Sequence, residues 1–351
     1  MNIKRDVNAL RRKLMRSLTK NIGTTHFDPN TDFTKIVIKK ILICRPNPRL
    51  GNQLLITPLV QEVIATFPEC EIDLFVNGGL AQIVFKNYKN VKRIIQLPRK
   101  PFKELIKYSQ GWLALKKHNY DIVINVVEGS SSGRLSAQFA NSKYKFFGDD
   151  IDELQLKYED YKHIAKQPVY NFRHYLTKLG FKENHKPIPS LNLMLSASEI
   201  AEGQKVLQNI VKNDKKTICI FTFATGEKCY SESWWEPFYE RLKSEYPDYN
   251  IIEVLPVENV SQIGFKAPTF YSKDVREIGS LIANTEVFIG ADSGIMHLAS
   301  STQTPTVGLF SVTNINMYAP YNNNSVAIDT NSSSIDDWIK TLNRILKKEL
   351  V

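Results

Sequence analysis

The stretch EVFIGADSGIMHLASSTQTPTVGLFSVT, Glu286 to Thr313, decides the fold. An apolar run, Val287 to Ile289, meets a turn of small residues, Gly290 to Gly294, and a helical pattern follows at once. A second apolar run then starts behind Pro305. Short apolar runs bounded by turn residues read as strands buried on both faces, so strand, helix and strand here form one unit of a parallel sheet. The first backbone N–H groups of such a helix have no intrahelical partner, and the helix dipole favours an anion beside them. Ligands of open α/β sheets bind at the carboxyl ends of the strands. A nucleoside diphosphate on Ser293 and Gly294 fits that geometry. Asp292 is itself anionic and suits sugar hydroxyls; it serves equally as a helix N-cap. His297 reads either as a ligand contact or as a core histidine.

The same alternation runs outward in both directions. KIVIKKILICRP, EIDLFV, VKRIIQL, YDIVINVV and KYKFFG read as strands, with helices over Leu59–Phe67, LAQIVFKNY and SSGRLSAQFAN. HKPIPSLNL reads as a connection, and a polar helix, SASEIAEGQKVLQNIVKN, follows it. TICIFTFAT, NIIEVLPV, EVFIGADSG and TPTVGLFSVT then alternate with WWEPFYERLKSEY, VREIGSLIAN and IMHLASST, and the chain closes on a serine-capped helix. The expectation is an α/β protein of two doubly wound parallel sheets. A basic helix and loop over 1–35 precede a first domain over 36–190 and a second over 191–351, with a linker near 185–215.

The formal net charge of +10 favours anionic partners such as a phosphorylated glycan or an anionic membrane. No RNA- or DNA-binding motif accompanies it, so nucleic acid is not expected as a partner. Leu10, Leu14 and Leu18 recur at helical spacing among Arg11, Arg12, Lys13 and Arg16. That helix either lies on anionic lipid or packs on its own domain. No apolar run is long enough to span a bilayer and no secretory signal opens the chain, so the expected location is cytoplasmic. The four cysteines form no C-x-x-C pair, and neither metal nor disulfide is expected.

ADSGIMHLASSTQTPTVGLFSVT resembles the D-[ST]-G-x-x-H block, with its later P-[ST], of glycosyltransferase family nine, the family of the lipopolysaccharide heptosyltransferases. RPNPRLGNQLLITPLVQEVIATFPECEIDLFV resembles its N-terminal block, where a leucine–glycine pair precedes an Asp and F-P-x-x-x-I-D follows. The resemblance implies a GT-B fold, two Rossmann-like domains facing a cleft, with donor on the second and acceptor on the first. It implies inverting transfer without metal or resident cofactor, from a nucleotide diphosphate sugar, ADP-linked heptose being one candidate. The acceptor would be a lipopolysaccharide core or related glycolipid, met peripherally at the cytoplasmic face of the inner membrane. Carried over one by one, Thr225 and Lys228 contact donor phosphate, Glu258 the ribose, Lys273 the neighbourhood of the base through its backbone, and Asp292, Ser293, Gly294 and His297 the donor.

One position departs from the family. Where its members carry an Asp general base, this chain has Asn52. An amide orients a hydroxyl but takes no proton. Glu128, just past the strand YDIVINVV, is the expected base, with Asp149 and Asp150 as second choices. Solvent or donor phosphate taking the proton is another reading. Arg45, Arg49 and Arg134 are candidates for acceptor phosphate or carboxylate. An epimerase-like enzyme on the same fold and a non-catalytic nucleotide-sugar-binding protein are the alternative functions.

Overall fold

A computed structural model describes residues 22, 23, 25, 37–99 and 103–347; the basic N-terminal helix expected from the sequence lies outside them. The elements in chain order are β1 (Lys40–Arg45), α1 (Leu50–Leu54), α2 (Thr57–Thr66), β2 (Glu71–Asn77), α3 (Leu80–Val84), β3 (Val91–Leu97), α4 (Leu105–Lys116), β4 (Asn119–Asn125), α5 (Ser131–Phe139), β5 (Asn141–Phe146), α6 (Asp152–Lys157) and α7 (Gln167–Lys178). There follow α8 (Ala197–Val211), β6 (Thr217–Phe221), a 3-10 turn (Gly226–Lys228), α9 (Glu232–Glu245), β7 (Asn250–Val254), β8 (Thr269–Phe270), α10 (Val275–Ile282), β9 (Val287–Ala291), α11 (Gly294–Ser301), β10 (Thr306–Phe310), α12 (Ile315–Tyr318), β11 (Val326–Asp329) and α13 (Ile335–Leu346).

The chain divides into two compact units, and two short segments break the simple sequence boundary. Arg49–Pro58 and Ile83–Asn87 group with Ser190–Val351, while the rest of the chain up to Pro189 forms the first unit. The segment carrying Asn52 therefore belongs to the second unit. The reason is a close helix contact: an added Cβ on Gly294 of α11 would lie 3.5 Å from the Gly51 amide, and one on Gly51 only 2.9 Å from His297 Cδ2. Two glycines let α1 and α11 approach to a distance that larger residues would forbid.

The first unit's sheet has the order β3-β2-β1-β4-β5, all parallel. Central β1 is buried along Ile41–Arg45, whereas edge strand β3 exposes Lys92, Arg93 and Gln96. That contrast is what a sheet covered on both faces requires of its middle and edge strands. Arg173 of α7 ties this unit together, donating to both carboxylate oxygens of Glu62 at 2.8 Å, while Asn184 donates to Oε1 at 2.7 Å. The second unit's sheet runs β11-β10-β9-β6-β7-β8, again parallel throughout. Counted within the unit this is the order 3-2-1-4-5-6 of dinucleotide-binding sheets. Strands β6, β9 and β10 are buried at every residue. Trp235, wholly buried under α9, donates its indole N–H to the Thr222 carbonyl at 3.1 Å and pins the end of β6.

Strand order reverses between β1 and β4 in the first sheet and between β6 and β9 in the second. At such a switch point the loops leave the two strands in opposite directions and open a crevice at their carboxyl ends. Asp292, Ser293 and Gly294 follow β9 there, and Glu128 follows β4. Among the described residues, no helix is long and apolar enough to cross a membrane. All four cysteines are free, and burial pushes the Cys44 thiol up to about 12.

Candidate functional site

In the second unit, the loop after β6 and the loop after β9 meet at the switch point. Thr225 stands before the 3-10 turn, and the turn ends on Lys228. The Lys228 ammonium is paired with the Asp292 carboxylate, and it lies 5.9 Å from the centre of the Tyr318 ring. Asp292 is only 5% exposed. A carboxylate buried that far needs a cation or several donors, and here the lysine supplies the charge. His297 Nε2 lies 3.9 Å from the other carboxylate oxygen, so Asp292 sits between a lysine and a histidine. Ser293 is the N-cap of α11, its hydroxyl accepting from the Met296 amide at 3.2 Å. Asp292 is therefore not the cap; its side chain is turned to Lys228. The remaining first-turn amides of α11, beside this lysine, form a cationic helix end suited to phosphate.

The structure thus brings together Lys228, Asp292, Ser293, Gly294 and His297, with Asn52 half-buried on the α1 segment that packs against α11. Glu258 and Lys273 stand exposed on the loops after β7 and β8, and among the described residues neither shares a hydrogen bond or ion pair with this cluster. Beneath the two loops lies a carboxylate that the sequence reading passes over. Glu253 of β7 is wholly buried and accepts from Thr222 Oγ1 at 2.5 Å and Ser261 Oγ at 2.7 Å. Thr222 accepts in turn from the Gln262 amide, and Ser261 from those of Ile263 and Phe265. One side chain thereby fixes both the segment leading to Thr225 and the loop following Glu258. Burial pushes the Glu253 carboxyl up, and the two hydroxyls hold it partly down.

In the first unit, Arg45 ends β1 and is buried, and Glu128 stands exposed on the turn after β4, the neighbouring strand at the switch point. Arg49 is exposed and belongs to the second unit. Arg134, another acceptor candidate, is engaged within the first unit. It is 5% exposed, donates to the carbonyls of Ile22 (3.1 Å) and Gly23, and lies 3.6 Å from Asp149. Its guanidinium holds the backbone at Ile22 and Gly23. The reserve bases are committed as well. Asp149 accepts from Thr25 Oγ1 at 2.7 Å and Tyr175 at 3.2 Å, and Asp150 pairs with Lys162 at 2.6 Å.

A cavity of about 580 Å³ opens beside the carboxyl ends of β2 and β3, lined by Gly78, Gln96, Arg99, Glu104 and Lys107. Gly78 has φ +74°, and a Cβ there would lie 2.8 Å from Arg99 Nε, so the glycine gives the arginine its place. Among the described residues Arg99 has no carboxylate partner, whereas Lys107 is paired with Glu104 at 2.9 Å. The signal available in the sequence was the Gly78–Gly79 pair directly after an apolar strand. Among the described residues no group of three His, Cys, Asp or Glu side chains is placed to hold a metal ion.

Comparison with known proteins adds to this geometry. The sequence model of glycosyltransferase family 9 (heptosyltransferase) matches residues 273–341, which contain the Asp292–His297 segment. Lipopolysaccharide heptosyltransferase 3 of Escherichia coli is 24% identical over 306 residues, covering 79% of this chain and 85% of that protein. Both matches are to family 9 glycosyltransferases, which this chain therefore resembles. A family 9 glycosyl transferase from Veillonella parvula superposes with a TM-score of 0.68 at 16% identity, over 88% of this chain and 97% of that one. E. coli heptosyltransferase WaaC, solved with ADP, gives 0.63 at 15% identity, over 87% and 99%. Likenesses at such low identity speak to fold, and the fold is GT-B.

Proposed function

We propose that this protein is a glycosyltransferase that moves a sugar, heptose in the first instance, from an ADP-linked donor to an anionic glycolipid of the lipopolysaccharide core, with inversion at the anomeric carbon. The observation that carries the reading is the Lys228–Asp292–His297 cluster beside the N-terminus of α11, at the switch point of the second sheet. The acceptor hydroxyl oxygen bonds to the anomeric carbon as the bond to the diphosphate oxygen breaks, and the negative charge that develops on the diphosphate needs compensation. Lys228 and the free amides of α11 offer it from protein atoms alone, which supports transfer without metal or resident cofactor. On this reading Lys228 shifts from Asp292 to the diphosphate, His297 then faces Asp292, and Asp292 accepts from a sugar hydroxyl. Glu258 takes the ribose hydroxyls, and Thr225 and the backbone at Lys273 complete the donor contacts. The ADP of the WaaC structure supports the choice of nucleotide.

Glu128 serves as the proton acceptor. It is the exposed carboxylate at the switch point of the first sheet, and Asp149 and Asp150 are already committed. Asn52 orients the acceptor hydroxyl. Arg45, Arg49 and Arg99, the last in the cavity beside β2 and β3, suit the acceptor's phosphates or carboxylates. Work on such an acceptor places the protein in the cytoplasm, peripheral to the inner membrane.

Release of nucleoside diphosphate, measured with and without glycolipid acceptor, tests the reading. Transfer is expected in the presence of EDTA, with Lys228→Ala and Asp292→Ala each weakening donor binding about tenfold, the loss of one charge-assisted contact. Donor turnover without acceptor, giving an altered sugar still on its nucleotide, would mean an epimerase. Donor binding with no turnover under any acceptor would mean a binding protein.

A further inference from the structure

Helix α4 carries apolar side chains on both of its faces. Gly111 and Leu115 face the sheet and are buried. On the opposite side Ile106 is 76% exposed and Leu113 57%, while Leu105, in the first turn and to one side, is 59% exposed. At 100° per residue Ile106 and Leu113 lie within about 20° of each other, so they form one outward ridge. Phe139 of α5 extends the surface, lying edge-on to Trp112 with centroids 6.1 Å apart. An ordinary surface helix is polar on its outer face; this one leaves that face without cover.

The charges around the ridge are of one sign. Lys103, Lys107, Lys116 and Lys117 surround it, against the single carboxylate Glu104 in the same stretch. The Lys116 ammonium lies over the Phe139 ring, 4.7 Å from its centre. A two-fold pairing of this face with a second copy would set lysines against lysines. A bilayer carrying anionic headgroups meets both demands: the ridge enters the boundary of the acyl chains and the lysines meet phosphate.

We propose that α4 is a membrane-docking helix, lying in the plane of an anionic bilayer on the ridge Ile106–Leu113. The helix also lines the first-unit cavity through Lys107, Gln110 and Gly111. A lipid-borne acceptor in the same bilayer would then be delivered beside Arg99. The proposal rests on the glycolipid reading of the acceptor, but its test does not need an acceptor.

The full chain is sedimented with vesicles of phosphatidylcholine alone and of phosphatidylcholine mixed with phosphatidylglycerol. Two double variants are compared with it, Ile106→Ser with Leu113→Ser, and Lys116→Gln with Lys117→Gln. The parent chain is expected to partition onto the anionic vesicles, and each double variant at least about tenfold less. ADP affinity should be unchanged throughout, which shows that the variants are folded. Unchanged partitioning of the Ile106/Leu113 variant would overturn the proposal. So would a parent dimer that this variant converts to monomer, since the occupant would then be a second copy. Loss of vesicle binding with transfer intact on a short water-soluble acceptor supports the docking role. Intact vesicle docking with no transfer to any acceptor would count against the proposed function alone.

Discussion

Replacing Gly51 by Ala tests whether the contact of α1 with α11 sets the donor site. Two effects oppose each other. Gly51 sits in a helix and is not among the residues with positive φ, so Ala is sterically allowed to the backbone and gains about 0.5–1 kcal/mol of helix stability. Against this, the new methyl would lie 2.9 Å from His297 Cδ2, some 0.5 Å inside ordinary contact at 3.4 Å. The ring cannot swing into water, because His297 is buried, and it sits 3.9 Å from Asp292. Overpacking at such a position costs about 1–3 kcal/mol. At mid-range values the clash should win by about 1 kcal/mol, a fall in Tm of a few degrees. Pushing His297 off Asp292 should also weaken ADP binding by about fivefold, the equivalent of about 1 kcal/mol. Thermal melts with and without ADP read both effects. Gly129→Ala is the control, since nothing lies within 4 Å of a Cβ there. A Gly51→Ala protein as stable as the parent, with the same ADP affinity, would refute the reasoning, for the helix gain would then stand unopposed.

The remaining predictions concern two carboxylates, one amide and one arginine. Burial raises the Glu253 carboxyl above its unfolded value, so the stability it contributes is complete below that value and is lost as pH rises through the folded one. Glu253→Gln should therefore gain on the parent in Tm as pH climbs from 4.5 towards neutrality; parallel melting curves would exclude this. Arg134→Ala removes the donor to Ile22 and Gly23 and the neighbour of Asp149, and should destabilise the first unit by about 3–5 kcal/mol in a denaturant melt. If it instead raises the acceptor KM with stability untouched, Arg134 is a ligand after all. Glu128→Gln should lower turnover by at least about 100-fold with donor affinity unchanged, and near-normal turnover removes it as the base. Asn52→Asp should weaken donor binding and slow turnover in the same assay, since it sets a second carboxylate near Asp292; a faster enzyme would overturn that charge argument.

How much of this was legible in the sequence varied with the range of the interactions. The two alternating domains were legible because buried parallel strands are short apolar runs, as in TICIF and VFIGA. The serine at the head of α11 was legible as the start of a helix. Helix α4 was not: between VKRIIQL and YDIVINVV the sequence reading names no element. Leu105, Ile106 and Leu113 outside and Leu115 inside blur the single apolar stripe by which a helix is recognised. Helix α7 escapes likewise, its interior polar positions filled by residues such as Asn171 and Arg173 that are satisfied only by distant partners. The fate of Arg134 depends on carbonyls more than 110 positions away, and Lys228 meets Asp292 across 64 positions. A charged residue in a loop offers no local mark that tells a ligand from a strut. The assignment of Asn52 to the second unit depends on two glycines that meet only in the folded chain.

The amide at position 52 becomes intelligible as a matter of charge. Its segment packs on α11, where Asp292 is already a buried carboxylate balanced by Lys228. In the proposed reaction a diphosphate arrives at the same helix end and draws on the same lysine. Asp292 must then rely on His297, which stands 3.9 Å from it and holds a full charge only when protonated. A second carboxylate on α1 would add negative charge where the one lysine is already shared between Asp292 and the leaving group, and desolvation in a half-buried position would add to the cost. An amide at that place orients a hydroxyl through the same two-headed geometry without joining the contest for cations. Glu128, the proposed proton acceptor, stands on a solvated turn of the first unit, whereas Asp149 and Asp150 are tied to Tyr175 and Lys162.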